Sequence, residues 1–268
     1  MSDRTEELSE VVQDDMLAKK NVVGVAGGED KVLVFVEKKE PLSDLDARDV
    51  VDRDIQGVRT DVIEVGELTP KSLKPGSSIG LSNAGTGTLG GLVEDEHGIK
   101  YCLTNNHVAA NSNLARVLTY VYSPGPADGL GGRIGELDRF QPIYFDHPNR
   151  IDAALVRMRQ AVEPFKEPDT TTARVGWSVQ KSGRTSGHTW GKVIARNATV
   201  DINFGTQGVA RFTGQIITDY MLAAGDSGSV VLSRAGHPIA LGFAGSDVIS
   251  IHNPINLVLR TLGVRFAA

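Results

Sequence analysis

Apolar residues in this chain come in short β-branched runs separated by glycine and polar turns, a spacing closer to two than to 3.6. Residues 22–26, a Gly27-Gly28 turn and residues 31–38, which enclose Val-Leu-Val-Phe-Val, form a β-hairpin pattern that Pro41 ends. Ser43 and Asp44 can cap a short helix over 45–51, and residues 60–65 read as a further strand before Pro70 and Pro75 break the pattern. Residues 21–68 therefore predict a small β-β-α-β unit. Upstream, Leu8, Val11, Val12 and Met16 stand at helical spacing among acids, predicting a short amphipathic helix within 1–20. Beyond Pro75, short strands punctuated by glycine pairs continue to about Phe243. Helical spacing returns only over 254–262, where Leu257, Val258 and Leu262 share a face.

Composition sharpens this picture. The chain has 268 residues, 40% of them hydrophobic, enough for one large core or two smaller ones, which excludes intrinsic disorder. Glycine is present 30 times, about 11% against an average near 7%, as turn-rich antiparallel proteins require. The net charge is −5 and the 28 basic residues are scattered singly, so nucleic acid is not an expected partner. The apolar runs are too short to cross a bilayer, and the acidic, polar first twenty residues do not read as a secretory leader. Cys102, the one cysteine, permits no internal disulfide and reads as a packed thiol; a cytoplasmic location is the expectation.

Three segments carry candidate chemistry. Residues 101–110 form an apolar strand that ends in His107 and small apolar residues. Residues 149–156 lead from Asp152 into a buried-looking run. Residues 224–232 place Ser227 in a glycine frame that opens into a strand. Alone, a strand-end histidine is usually a packed or surface residue, an acid before an apolar run is usually a turn former, and Gly-Asp-Ser-Gly is ordinary hairpin vocabulary. Together they supply what acyl transfer by serine needs: a nucleophile, a base to take its proton, and a buried acid to hold that base. Gly225 and Gly228 let the backbone turn sharply, so that the N–H groups of Gly225 and Ser227 can converge on one oxyanion.

In that order the segments resemble the chymotrypsin/trypsin-like serine peptidases, in particular their compact bacterial branch. Residues 103–107 (Leu-Thr-Asn-Asn-His) resemble the family's Leu-Thr-Ala-Ala-His, 151–155 (Ile-Asp-Ala-Ala-Leu) its Asp-Ile-Ala-Leu, 225–228 its nucleophile loop, and 181–192 the Ser-Gly-Arg-Thr-Thr-Gly stretch of the bacterial enzymes. The resemblance spans roughly residues 76–253. It implies two antiparallel six-stranded β-barrels, with His107 and Asp152 on the first and Ser227 on the second. The whole chain is then mainly β: a tail or helix over 1–20, a small α/β domain over 21–72, the first barrel over 73–165, and the second over 166–268 with a short C-terminal helix. The resemblance also implies that Asp226 supports the oxyanion loop by pairing with an internal cation, Lys181 or Arg184.

The same resemblance places Met221 at the base of the pocket for the residue before the scissile bond, with Phe243, Ala244 and Gly245 in its wall. With no carboxylate at that base, the expected preference is for an apolar or small residue. Two positions depart from the family pattern: Phe243 stands where a serine usually supports the catalytic aspartate, and Ser229 stands where a second glycine is usual.

Gly85 to Gly90 spells G-x-G-x-x-G, but residues 91–98 read as a hairpin rather than a helix, so no dinucleotide site is expected. His97, His147, His188, His237 and His252 lack metal-ligand spacing, and no metal or other cofactor is expected. The leading expectation is a serine endopeptidase acting on protein or peptide substrates; a third reading has residues 21–68 mask its crevice until an activating partner or a cut between Pro70 and Pro75 releases it. The alternative is a catalytically silent, protein-binding module on the same fold, which Phe243 and Ser229 favour.

Overall fold

The computed structural model describes residues 8–66 and 73–267, and the chain divides into two compact units, Met1–Lys71 and Ser72–Ala268. In the first unit the helical spacing produces α1 (Glu10–Leu17), which buries Met16. The hairpin pattern produces β1 (Val22–Gly27) and β2 (Val32–Val36), paired antiparallel. On β2 alternate residues Val32, Val34 and Val36 turn inward and join Val22 in a small core. Two further strands, β3 (Asp54–Ile55) and β4 (Val58–Glu64), complete a sheet of order β1-β2-β4-β3 in which β4 runs parallel to β2.

The helix expected over 45–51 does not form. A single 3-10 turn, Leu42–Asp44, is followed by turns as far as β3. The Ser43 hydroxyl bonds the neighbouring Asp44 carboxylate instead of capping a helix. Further along, the Lys20 N–H donates to Asp49 and the Lys19 ammonium donates to the Arg48 carbonyl. Those bonds tie the segment to the end of α1 in a non-helical path, and seven residues with two terminal valines offer too little propensity to resist them.

The second unit is a pair of curled antiparallel sheets, the double barrel that the resemblance implies. Its first sheet contains β5 (Ser78–Gly80), β6 (Thr86–Thr88), β7 (Gly91–Glu94) and β8 (Lys100–Thr104). After the one-turn helix α2 (Asn106–Ala109) come β9 (Tyr120–Ser123), β10 (Gly132–Phe140) and β11 (Ala154–Met158). The second sheet is a closed barrel of β12 (Ser178–Gly183), β13 (Gly187–Asn203), β14 (Val209–Asp219), β15 (Val230–Ser233), β16 (Pro238–Gly245) and β17 (Ile249–Pro254). The chain then forms α3 (Ile255–Leu262) and β18 (Arg265–Phe266). The first sheet has eight strands rather than six, in the order β18-β7-β8-β11-β10-β9-β5-β6: the seven strands β5 to β11, and β18, which returns from the second barrel and pairs with β7. The G-x-G-x-x-G stretch is β6 with the turn into the β7-β8 hairpin.

The helix α3 joins the two sheets. Its buried face, Ile255, Val258, Leu259 and Leu262, packs in one cluster with Val93, Leu103 and Leu155 of the first sheet, Ile151 just before β11, and Val230 and Leu241 of the second. Burial of each such side chain contributes about 1.5–3 kcal/mol. Gly263, in the left-handed conformation, ends the helix and turns the chain toward β18.

Candidate active site

Strand pairing brings His107 to Asp152. Thr104, the last residue of β8, lies opposite Ala154, the first of β11, so the residues just beyond these two ends are neighbours. There α2 presents His107, whose Nδ1 lies 2.6 Å from Asp152 Oδ2 while its backbone N–H donates to Asp152 Oδ1 at 3.2 Å. The Asp152 side chain is fully enclosed and the His107 ring is 24% exposed. With Nδ1 engaged by a carboxylate, Nε2 is the nitrogen left without a hydrogen-bond partner among the described residues.

Asp152 is fixed from behind by a chain of buried amides. Its N–H donates to Asn253 Oδ1 at 3.0 Å, and its carbonyl accepts from Asn105 Nδ2. Asn253 Nδ2 donates to Gln215 Oε1 at 2.8 Å, and Gln215 Nε2 donates to the carbonyls of Arg150 and Thr213. Asn105, Gln215 and Asn253 are wholly buried. Sequence reasoning missed all three: Asn105 was visible beside the histidine, but nothing in the spacing of Gln215 and Asn253 marks them.

Ser227 stands at the turn into β15, between Gly225 (φ +94°) and Gly228 (φ +98°). A Cβ on Gly228 would collide with the Thr88 carbonyl oxygen, so the close approach of this turn to β6 requires glycine there. Thr88 in return donates its N–H to the Ser227 carbonyl at 2.8 Å and its hydroxyl to the Gly225 carbonyl at 2.9 Å. A Cβ on Gly87 would meet both the Ser227 carbonyl oxygen and the side chain of Val108, so the nucleophile turn adjoins the helix that carries His107. The Ser227 hydroxyl donates to the Phe243 carbonyl at 3.2 Å. Among the described residues the N–H groups of Gly225 and Ser227 have no acceptor, which leaves two donors on one turn.

The Asp226 carboxylate points inward, to Lys181. Lys181 Nζ lies 2.7 Å from Asp226 Oδ2, and the same carboxylate accepts from the hydroxyl and N–H of Ser186 and the N–H groups of Thr185 and Ala223. Burial alone pushes the Asp226 carboxyl up, but the bonds from Lys181, Ser186 and Ala223 outweigh it and hold the group below its ordinary value. Of the two cations anticipated, Lys181 makes the pair; Arg184 turns instead to Asp128. Ser229 takes the place of the usual glycine without strain, because its hydroxyl donates to the Asp226 carbonyl and closes the turn.

Of the four residues assigned to the substrate pocket, Phe243, Ala244 and Gly245 are consecutive on β16, and Met221 is joined to them through Ser250, which accepts the Met221 N–H and pairs with Gly245 across the strands. Met221 is 2% exposed and packs in the second-barrel core with Val179, Val193 and Ile216. The Phe243 ring is buried in a different cluster, 4.8 Å from the Phe212 ring, and its carbonyl rather than its side chain reaches Ser227. Ala244 is half-buried and Gly245 exposed. A row of aromatics that the sequence did not single out runs beside His107: the Phe204 ring lies 6.4 Å from the imidazole and contacts Phe145 and Phe212.

A double barrel with this histidine, aspartate and serine order is the architecture of a serine peptidase. Residues 85–241 match the trypsin-like peptidase domain, and the chain belongs to that family. Among solved structures, a Nocardiopsis protease is 21% identical with a TM-score of 0.57, covering 74% of this chain and 100% of its own. Thermobifida fusca protease A is 21% identical with a TM-score of 0.56, again over 74% of this chain and 100% of that one. A Cellulomonas bogoriensis chymotrypsin is 20% identical with a TM-score of 0.53, over 74% of this chain and 99% of that one. No curated protein matches the chain.

Proposed function

We propose that the chain is a serine endopeptidase in which Ser227 is the nucleophile, His107 the general base and Asp152 the acid that orients it. The observation that carries this reading is the 2.6 Å contact between His107 Nδ1 and the enclosed Asp152 carboxylate, on a helix adjoining the glycine-framed Ser227 turn. In this reading the Ser227 hydroxyl leaves the Phe243 carbonyl, its acceptor in the resting chain, for Nε2 of His107. The serine oxygen then attacks the peptide carbonyl as His107 takes its proton, and Asp152 stabilises the imidazolium. The developing oxyanion is held by the N–H groups of Gly225 and Ser227, on a turn that the Lys181-Asp226 pair fixes. His107 returns the proton to the leaving amine, and water releases the acyl group by the same route.

A small or apolar residue before the scissile bond accompanies this reading, since position 221 carries methionine and no carboxylate. The N-terminal unit has its own sheet and core, which contain none of the residues given a chemical role, and the part proposed for it is to restrain the peptidase until it is displaced. A chain beginning at Ser72 then hydrolyses peptides faster than the full chain; equal rates remove the restraint and leave the peptidase reading intact.

Intact-mass detection of a fluorophosphonate adduct tests the main reading. Labelling of the native chain or of the Ser72 truncation, abolished by Ser227→Ala, is the expected result. No adduct on either chain overturns it in favour of a silent binding module.

A further inference from the structure

A cavity of about 320 Å3 lies where β13, β14 and the first turn of α3 meet residues 171–173. Arg150, Arg196 and Arg260 line it, with Thr171, Thr172 and Asn197 between them, and no carboxylate does. Three guanidinium groups gathered without counter-charge repel one another, so their grouping calls for an anion. Arg139, Arg159, Arg184, Arg211 and Arg265 each meet an aspartate or glutamate, while Arg116 and Arg157 stand singly without one, so it is the grouping of three in one cavity that sets these apart. The three cavity arginines make no side-chain hydrogen bond or ion pair with any described residue.

The backbone is shaped to hold them there. Gly214 has φ +76°, and a Cβ on it would come 3.1 Å from Nη2 of Arg150, so glycine leaves the guanidinium room to lie over the strand. The wall formed by α3 begins at Pro254, and among the described residues no side chain caps its first N–H groups.

We propose that this cavity binds a small, free anion bearing phosphate, held by Arg150, Arg196 and Arg260. Planar guanidinium forks match phosphate oxygens two at a time, and several such groups converging on one cavity select a multiply charged tetrahedral anion over chloride or a single carboxylate. The three arginines are exposed at the mouth of an open cavity whose volume suits one or two phosphate groups, whereas a nucleic-acid strand needs an extended basic groove with stacking aromatics. The site is independent of the peptidase reading, although the Arg150 carbonyl is the outer end of the amide chain that reaches Asp152 through Gln215 and Asn253.

Titration calorimetry of the full chain with inorganic pyrophosphate, at constant ionic strength, tests the proposal. The expected result is saturable one-to-one binding that Arg196→Ala and Arg260→Ala each weaken about tenfold or more, since each removes a charged hydrogen-bond donor. Arg157→Ala, an exposed arginine outside the cavity, leaves it unchanged. Absence of saturable binding, or equal weakening by Arg157→Ala, overturns the site. The two cavity variants lie on different elements, so if one fails to fold the other still decides.

Discussion

The ammonium of Lys181 stands 2.7 Å from the carboxylate of Asp226, and neither side chain reaches solvent. A pair of this kind is worth little in net terms against an apolar replacement of both partners, but removing one partner strands the other charge in the interior. Lys181→Met therefore destabilises the peptidase unit by about 3–5 kcal/mol, read as a shift of the urea midpoint. The Asp226 carboxyl is held below its ordinary value, so its contribution is present above the unfolded-state value and is lost as the pH falls through the lower folded value. Unfolding curves between pH 5 and pH 2 should show that loss in the native chain and not in Lys181→Met.

His252 sets a second acid limit. It is wholly buried, and burial pushes its imidazole down to about 3. The Thr218 hydroxyl donates to the Asp219 carbonyl, so His252 Nε2 must donate to Thr218 Oγ1, and its buried Nδ1 has no partner among the described residues. An imidazole kept neutral on folding but free to charge when unfolded contributes stability that is full above about pH 6.5 and declines below it. The decline approaches about 1.4 kcal/mol per pH unit between the unfolded and folded values. In His252→Gln that slope disappears; an unchanged slope would assign the acid sensitivity to other groups.

The two glycines beside Ser227 should respond differently. On Gly228 a methyl meets the Thr88 backbone oxygen, which cannot move without disturbing β6. On Gly225 it meets the ends of the Arg184 and Thr185 side chains, which can move. Both positions carry a positive φ, which costs about 1–3 kcal/mol for a non-glycine residue. Gly228→Ala should lose that and more in thermal unfolding. Gly225→Ala should lose less stability, with peptidase turnover the more sensitive readout because it disturbs a donor N–H.

Asp152 is bonded through both carboxylate oxygens to the same histidine. Asp152→Asn keeps the shape but presents an amide, and His107 then flips to the tautomer that cannot accept the serine proton. A fall of about 10^4 in kcat is expected, against about 10^6 for Ser227→Ala. Equal stability of both variants alongside these losses would separate chemistry from folding.

The parts legible in the sequence are those that local pattern controls. The valines of β2 alternate, the apolar face of α3 repeats at helical spacing, and the short segments around His107, Asp152 and Ser227 are dense with small and glycine residues because backbones must pass close there. Contacts between distant segments left no such trace. Gln215 and Asn253 are single polar residues within ordinary strands, and only the barrel's closure puts them behind Asp152. Phe204 comes beside His107 because the β13-β14 hairpin is long, a matter of strand length rather than motif. The failed helix over 45–51 has the same origin: Lys20 and Asp49 lie far apart in sequence, and their bond overrode a weak local preference.

The two-residue strand β18 has a mechanical meaning. Residues 265–267 leave the serine-bearing barrel by way of α3 and are laced into the histidine-bearing sheet, with Arg265 opposite Glu94 and the Ala267 N–H on the Leu92 carbonyl. The second barrel thus ends inside the first, and peeling either one open strains the other. The two halves should melt as one cooperative body rather than in sequence, so the reacting groups they contribute are present together or absent together.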